Sequence, residues 1–151
     1  MPSAHFQISN GSVSAVQVGS REGSPVMSFN VSFDPNDRIV TVQVSGTVTH
    51  IDHCAAREKA LQLCREKETL KILVDLRDLL TEQSSAMNCF VFGESFPIVS
   101  PKARIAHVLP KDIRARGDVK FTINVSSNRG LTTGEFETVD QARNWLAGMK
   151  G

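Results

Sequence analysis

The side chains best suited to chemistry fall in two short segments. The first is His50-Ile51-Asp52-His53-Cys54, in which His50 and His53 are three residues apart and would share one face of a helix. Such imidazole pairs can ligate zinc, but a tetrahedral site needs further ligands, and the sequence has no later Cys/His pair to supply them. We therefore predict the solvated start of a helix here, and no metal site.

The second segment carries Asp75 and Asp78 on either side of Arg77. Paired carboxylates can act as acid and base, but an aspartate that ends a strand is equally suited to accept backbone hydrogen bonds. The sequence contains no phosphate-binding glycine loop, no dinucleotide fingerprint and no serine-nucleophile motif. We predict no catalytic residues and no cofactor. An enzyme in which Asp75, Asp78 or His107 converge is the weakest alternative.

The composition excludes several classes of partner. The chain has 151 residues, a one-domain length, and its 17 Lys and Arg balance 16 Asp and Glu. A net charge of +1 provides no basic face for nucleic acid, and the absence of tyrosine weakens a base-stacking surface. No apolar run approaches the ~20 residues that span a bilayer.

The cysteines predict a reducing compartment. Cys54, Cys64 and Cys89 are odd in number and form no C-x-x-C motif, which fits free thiols better than a disulfide framework. Cys64 and Cys89 stand among apolar residues and are expected in the core. Since the first residues lack the basic and apolar regions of a signal peptide, we expect a cytoplasmic location.

Hydrophobic periodicity predicts an α/β fold. Alternating apolar residues indicate strands, helical spacing indicates helices, and Asn10-Gly11 is typical of a hairpin turn. The predicted strands lie at about 4–9, 12–18, 26–33, 40–46, 71–76, 103–109 and near 136, and the predicted helices at about 50–67, 81–92 and from 138 onward, with a loop bracketed by Pro97 and Pro101. Thr49 to Asp52 and Thr138 to Gln141 are predicted to be capping boxes. The result is a single-layer mixed β-sheet, with an antiparallel opening hairpin and parallel β-α-β units, flanked by about four helices.

Two segments are less regular. Residues 111–129 alternate at Val119, Phe121, Ile123 and Val125 like a strand, although Asn128-Arg129-Gly130 is typical of a helix end. Residues 1–25 are poor in charge and are predicted to be an N-terminal extension of a domain at 26–151. Its hairpin could pair with the sheet edge of a neighbour, which makes a homodimer one option.

The segment LVDLRDLLTEQSSA, residues 73–86, resembles the strand-to-helix junction of STAS domains, the anti-sigma-factor antagonist fold. In that family the helix opens with D-S-S-G, and a partner kinase phosphorylates the first serine. The resemblance places Ser84 at that position and Ser85 at the next, with Gln83 in place of the Asp and Ala86 in place of the Gly.

Further motifs are similar, in order and spacing, to the SpoIIAA-like branch, which joins STAS-type and CRAL-TRIO-type proteins. They are the segments at 44–49, 72–76, 128–130 and 136–146, so the resemblance covers about 28–148. It implies a helix at 113–128, and we adopt that prediction over the alternating pattern.

The resemblance implies a non-enzymatic regulatory or protein-interaction module, switched by phosphorylation near the start of the second helix. A phosphate at Ser84 or Ser85 would add a charge of about −1.5 to −2. The plain alternative is that these serines only satisfy backbone donors of the first helical turn.

A carrier or sensor of a small apolar ligand, as in CRAL-TRIO proteins, is the second class of function. The candidates for an apolar-ligand or partner surface are Met87, Phe90, Phe92, Phe96 and Ile98. These side chains could equally be ordinary core. The predicted partner is thus a protein or a small apolar ligand, and a cavity beneath residues 86–99 would favour the ligand.

Overall fold

A mixed β-sheet with helices on both faces forms the fold. The computed structural model describes residues 3–9, 12–19, 27–83 and 86–148, with side chains at 29–80, 87, 89 and 91–148. In chain order the elements are β1 (Ser3–Ser9), β2 (Ser12–Gly19), β3 (Met27–Asp34), β4 (Ile39–Thr49), α1 (His50–Lys67), β5 (Lys71–Gln83), α2 (Ala86–Val99), β6 (Arg104–Val108), α3 (Ile113–Asn128), β7 (Thr132–Phe136) and α4 (Val139–Ala147).

The strands lie side by side in the order in which they occur along the chain. β1 to β4 pair antiparallel, and β4 to β7 pair parallel. Each parallel step needs a helical crossover, and α1, α2 and α3 supply the three. This confirms the predicted α/β fold with a mixed sheet and four helices. Because β2 pairs with β3, the first two strands extend the same sheet, and the division of the chain at residue 25 stays a prediction.

Alternate residues of the central strands divide between two apolar cores. Ile72 of β5 packs in the larger core with residues of α1 and α3, whereas Leu73 packs in the smaller core with Ala142 and Leu146 of α4. Three helices therefore cover one face of the sheet and α4 covers the other, as the two-residue period of a strand buried on both faces requires.

Polar caps begin the helices where the sequence predicts them. Thr49 and Asp52 form a capping box, since each side chain accepts from the other residue's backbone N–H, at 3.3 and 2.9 Å. Thr138 caps α4 by accepting from the N–H of Gln141, but the Gln141 side chain accepts from Glu137 instead of Thr138. The second capping box is therefore only half formed.

Residues 113–128 are helical, as the resemblance implied. The side chains buried from this segment include Ala115, Val119, Ile123 and Ser126, which follow the helical repeat. Phe121, a member of the alternating pattern, is 43% exposed. The strand-like alternation is thus accidental, and Asp112 starts the helix by accepting from the N–H of Ala115 at 2.9 Å.

The predicted boundary between the fifth strand and the second helix is wrong. β4 does not end at Gly46 but continues to Thr49, and β5 continues with it to Gln83, so the helix begins at Ala86 and not at Thr81. Gly46 has φ of 81°, and the pairing register shifts beside it. This bulge, which glycine tolerates, lets the two strands remain paired beyond the predicted end.

The predicted loop at Pro97 is also wrong, because α2 includes Pro97 and ends at Val99. A proline inside a helix leaves the carbonyl four residues earlier without its N–H partner. That carbonyl belongs to Gly93, and it accepts instead from the Ser126 hydroxyl of α3 at 2.7 Å. The helix therefore tolerates the proline because a neighbouring helix replaces the missing donor.

Gly93 also sets the distance between α2 and α3. A Cβ at this position would lie 2.7 Å from the Thr122 carbonyl oxygen and 3.0 Å from Cβ of Val125. The backbones therefore approach more closely than any other residue would allow.

We expect Gly93→Ala to lower the free energy of unfolding by about 1–3 kcal/mol, the usual cost of overpacking. Gly117→Ala is the matched control, because a Cβ there meets nothing within 4 Å, and it should stabilise α3 by about 0.5–1 kcal/mol. Urea denaturation measures both. Equal stability of Gly93→Ala and the wild type would contradict this account of the contact.

Candidate functional site

A cavity of about 90 Å³ lies between the sheet and the helices α1, α2 and α3; we call it the interlayer cavity. Its lining is mostly aliphatic and aromatic, with a few polar side chains from the helices and one from β6. The lining residues are Val42, Val44, His53, Ala56, Arg57, Ala60, Ile72, Val74, Leu76, Phe92, Phe96, Ile105, His107, Val119, Thr122, Ile123, Ser126 and Leu131. The cavity thus lies beneath α2, at residues 86–99.

Strand register builds the floor of the cavity. Val42 of β4, Val74 of β5 and His107 of β6 are aligned across the three strands, so their side chains form one row on the same face. The preceding row is Val40, Ile72 and Ile105. His107 therefore occupies a position that β4 and β5 fill with valine, while Glu135 of β7 aligns with it on the other side.

His107 is a neutral polar group in this apolar floor. Its Nδ1 atom is buried and has no hydrogen-bond partner among the described residues. Burial lowers the pKa of His107 to about 4, although a backbone hydrogen bond with Gly134 acts in the opposite direction. The ring is therefore uncharged at neutral pH and can accept or donate a hydrogen bond at the cavity.

Arg57 of α1 lies over the two phenylalanines that α2 contributes. Its guanidinium carbon is 4.6 Å from the ring centre of Phe92 and 5.5 Å from that of Phe96. Its Nη1 donates to the Ser95 hydroxyl at 2.8 Å and to the Phe92 carbonyl at 3.4 Å. Burial lowers the pKa of Arg57, against the raising effect of Cys54 and Glu58, but an arginine remains charged in proteins.

The predicted surface residues of the second helix divide into two groups. Phe92 and Phe96 line the interlayer cavity, whereas Met87 is 68% and Ile98 is 76% exposed on the outside of α2. The Phe90 side chain and the predicted phospho-acceptors Ser84 and Ser85 lie outside the described residues. The first group therefore faces the cavity, and the second faces solvent.

Arg57 and His107 are the lining residues whose role the sequence did not predict. His107 has one signal, because it interrupts the apolar residues of the buried strand Arg104–Val108 and shares a face with Ile105. Arg57 has none, since it stands beside Ala56 in a helix that also presents charged residues to solvent, and only the fold brings it to Phe92.

The acidic candidates lie away from the cavity. Asp75 shares the face of Leu73, on the α4 side of the sheet, and pairs with Arg77 through contacts of 3.0 and 2.9 Å. Burial raises the pKa of the Asp75 carboxyl, but the hydrogen bonds and charge of Arg77, with a hydrogen bond to Gln43, outweigh it and hold that pKa below its ordinary value. Asp78 is exposed. Asp75 and His107 therefore lie on opposite faces of the sheet and do not converge.

The histidine-rich start of α1 serves other contacts. His50 Nε2 lies 3.6 Å from the Cys54 sulfur, and the rings of His50 and His53 both pack on Phe92. The Asp52 carboxylate caps the helix. Within the part of the chain that the structure describes, no three His, Cys, Asp or Glu side chains are grouped to hold a metal ion.

The cysteines are free thiols. Cys64 and Cys89 are buried, as predicted, and Cys54 is half-buried. Burial raises the pKa of the Cys64 thiol to about 12, despite the opposing charge of Arg65. Cys64 is therefore a core side chain and not a reactive one.

The comparisons with known proteins define the class of fold. Neither a scan against protein-family models nor a search of curated protein sequences gives a match. Among solved structures the chain is similar to an uncharacterized protein of the DUF3478 family with a SpoIIAA-like fold, from Shewanella loihica PV-4. The TM-score is 0.51 at 15% identity, over 85% of this chain and 99% of that one. The chain therefore has the SpoIIAA-like fold that its sequence motifs predict.

A membrane-crossing helix is absent from the described ranges, since none of their helices combines enough length with enough apolar character.

The buried His107 should make stability depend on pH. Its folded pKa of about 4 lies below the ordinary 6.5, so between these values the unfolded chain binds the proton more readily. The free energy of unfolding should therefore fall as the pH is lowered from 6.5 to 4, by about 3 kcal/mol for this group. Below that range its contribution should be constant.

Urea denaturation of the wild type and His107→Gln at several pH values measures this dependence. Glutamine keeps a polar side chain but does not titrate, and carboxylates that titrate in the same range affect both proteins alike. Identical slopes in the two proteins would show that His107 is not the group responsible.

Proposed function

We propose that this protein is a non-enzymatic binding module whose interlayer cavity holds a small apolar ligand, as a carrier or sensor. The observation that supports this is the cavity itself, which lies beneath α2 and is lined by Phe92, Phe96 and aliphatic residues of three strands. Apolar pockets with a few convergent polar groups are the usual form of small-molecule sites.

The volume limits the size of the ligand. An engineered cavity of about 150 Å³ in another protein admits benzene, and one water takes about 30 Å³ of liquid. A space of about 90 Å³ therefore suits an apolar body of about three to five carbon atoms. Left empty, such a cavity lowers stability by about 2 kcal/mol, which an apolar occupant can restore.

The chemistry of the lining supports binding rather than catalysis. The Ser126 hydroxyl donates to the Gly93 carbonyl at 2.7 Å, and the Thr122 hydroxyl donates to the Asp118 carbonyl at 3.1 Å. Both hydroxyls are thus used within the helices, and neither is paired with His107 as a nucleophile would be. The polar groups that face the cavity are suited to orient a ligand.

Filling the cavity should abolish binding. Val74→Phe adds an aromatic ring to the half-buried residue at the centre of the cavity floor. We expect at least about a tenfold loss of affinity for the neutral probe 4,4,4-trifluorobutanamide, measured by ¹⁹F NMR titration. Ile113→Phe, which adds the same group at a residue that is 87% exposed, is the matched control and should bind like the wild type.

Circular dichroism checks that both variants are folded. The proposal fails if the wild type does not bind the probe at all, or if folded Val74→Phe binds it with unchanged affinity. Native mass spectrometry of the protein as purified then looks for a co-bound small molecule.

Binding of a protein partner is a second candidate function, favoured by the outer face of α2. Met87, Val91 and Ile98 are all exposed there, and clustered exposed apolar side chains are typical of interaction sites. Phosphorylation of Ser84 or Ser85, which directly precede α2 in the sequence, stays a prediction from the STAS resemblance; a phosphate there would add charge beside this face. The cytoplasmic location and the homodimer stay predictions too.

We expect the double variant Met87→Glu/Ile98→Glu to lose any partner held by this face. Both residues are exposed, so the fold should keep its stability to within about 0.5 kcal/mol. Sedimentation velocity tests a second copy of the chain as the partner, and quantitative pull-downs with wild type and variant test other proteins. A partner or a dimer retained equally by both proteins would rule out this surface.

A further inference from the structure

We propose that the ligand of the interlayer cavity is a short-chain monocarboxylate, whose apolar body fills the cavity and whose carboxylate pairs with Arg57. This inference rests on the proposed function, since it assigns the ligand class to the same cavity. Three observations on Arg57 support it: its position, the N–H groups that donate to no described residue, and the lack of a described carboxylate within 4.0 Å.

The position of Arg57 puts a cation at the edge of an apolar space. The residue lines the cavity, and its guanidinium lies over the rings of Phe92 and Phe96, which line it too. Contact with these two rings restricts the orientations that the guanidinium can adopt. A ligand inside the cavity would therefore contact apolar side chains and, at one edge, the guanidinium of Arg57.

The donors of Arg57 are only partly used. Nη1 donates to Ser95 and Phe92, whereas Nε and Nη2 donate to no group of the described residues. A guanidinium edge with two free donors is the arrangement that binds a carboxylate through two parallel hydrogen bonds. Ser95 and Phe92 fix one nitrogen, which leaves less conformational freedom to lose on binding.

Among the described residues, Arg57 has no carboxylate at ion-pair distance, whereas five other arginines do. Arg65, Arg77, Arg116, Arg129 and Arg143 each lie within 4.0 Å of a carboxylate. No described carboxylate lies within that distance of Arg57, and the lining of the cavity contains no Asp or Glu. A half-buried cation that is only partly compensated by neutral hydrogen-bond acceptors and aromatic rings favours an anion, and an anionic ligand would supply one.

The size of the cavity selects short acids. The lining beyond Arg57 is apolar apart from His53, His107, Thr122 and Ser126, and both hydroxyls are engaged with backbone carbonyls. A chain or branch of about three to five carbon atoms fills about 90 Å³, so longer fatty acids would need α2 to move away.

The test compares two probes of the same shape, 4,4,4-trifluorobutanoate and 4,4,4-trifluorobutanamide, by ¹⁹F NMR titration at pH 7. We expect the carboxylate to bind at least about tenfold more tightly, as charge-assisted hydrogen bonds do. Arg57→Met keeps an unbranched apolar stem over the phenylalanines and removes the charge. It should lower carboxylate affinity much more than amide affinity, because only the carboxylate loses a charge-assisted pair, and so abolish the preference between the two probes.

The matched control is Arg65→Met, which removes the same charge from an exposed position on the same helix, outside the cavity lining. It should bind both probes like the wild type, which separates a local contact from long-range attraction. Arg57→Lys should fall between wild type and Arg57→Met, because lysine keeps the charge but not the two-donor edge.

The outcomes distinguish the two proposals. Equal binding of the two probes by wild-type protein would overturn the carboxylate assignment and leave the cavity as a site for neutral ligands. Carboxylate preference that survives in Arg57→Met would also overturn it. Binding of neither probe by the wild type would overturn the proposed function together with this inference.

Discussion

The structure depends on one contact, the close approach of α2 to α3 at Gly93. The missing Cβ admits the Thr122 carbonyl and Val125, and Pro97 frees the Gly93 carbonyl for the Ser126 hydroxyl. α2 packs mainly on α3, and also on α1, and has no comparable contact with the strands. α2 therefore packs on the neighbouring helices more than on the sheet. The space left between Phe92, Phe96 and the sheet is the interlayer cavity.

This arrangement explains why α2 is apolar on both sides. A helix that packs on a sheet needs one apolar stripe and can present polar residues on its other face. α2 instead places Phe92 and Phe96 toward the cavity and leaves Met87, Val91 and Ile98 exposed. Stability of the fold does not require Met87, Val91 and Ile98 to be apolar, because they are exposed. Binding to a partner on the outer side of α2 would explain these residues.

Much of the fold could be predicted from the sequence, because its signals are local. α1 occupies the predicted range, since a capping box and a regular apolar period mark its start and its length. The boundary at Thr81 could not be predicted, because residues 81–83 become a strand through pairing with residues 47–49 of β4. Such pairing overrides a local start signal. The helix at 113–128 needed the family resemblance, because its local sequence alternates like a strand and only packing against the sheet selects the helical set of buried residues.

The candidate site could be predicted only in part. Of the four chosen apolar residues of the second helix whose side chains the structure describes, Phe92 and Phe96 line the cavity and Met87 and Ile98 are exposed. The sequence position of an apolar residue on a helix does not say what its side chain faces. Asp75, one of the two acidic residues that suggested chemistry, pairs with Arg77 on the other face of the sheet. Arg57 could not be predicted, because its contacts with Phe92 and Ser95 are made between residues far apart in the sequence.

The two candidate functions act through the same helix. Its inner residues Phe92 and Phe96 meet any occupant of the cavity, and its outer residues meet any partner. Because Gly93 fixes the crossing with α3, an occupant too large for the cavity has to displace the ends of α2 rather than its middle. Met87 and Ile98 lie near those ends, so an oversized occupant would alter the spacing of the exposed apolar side chains, whereas a ligand that fits the cavity would leave them in place. Under the two proposals, a sensor that couples the cavity to the outer face therefore needs a ligand large enough to displace α2, and a short ligand is the cargo of a carrier.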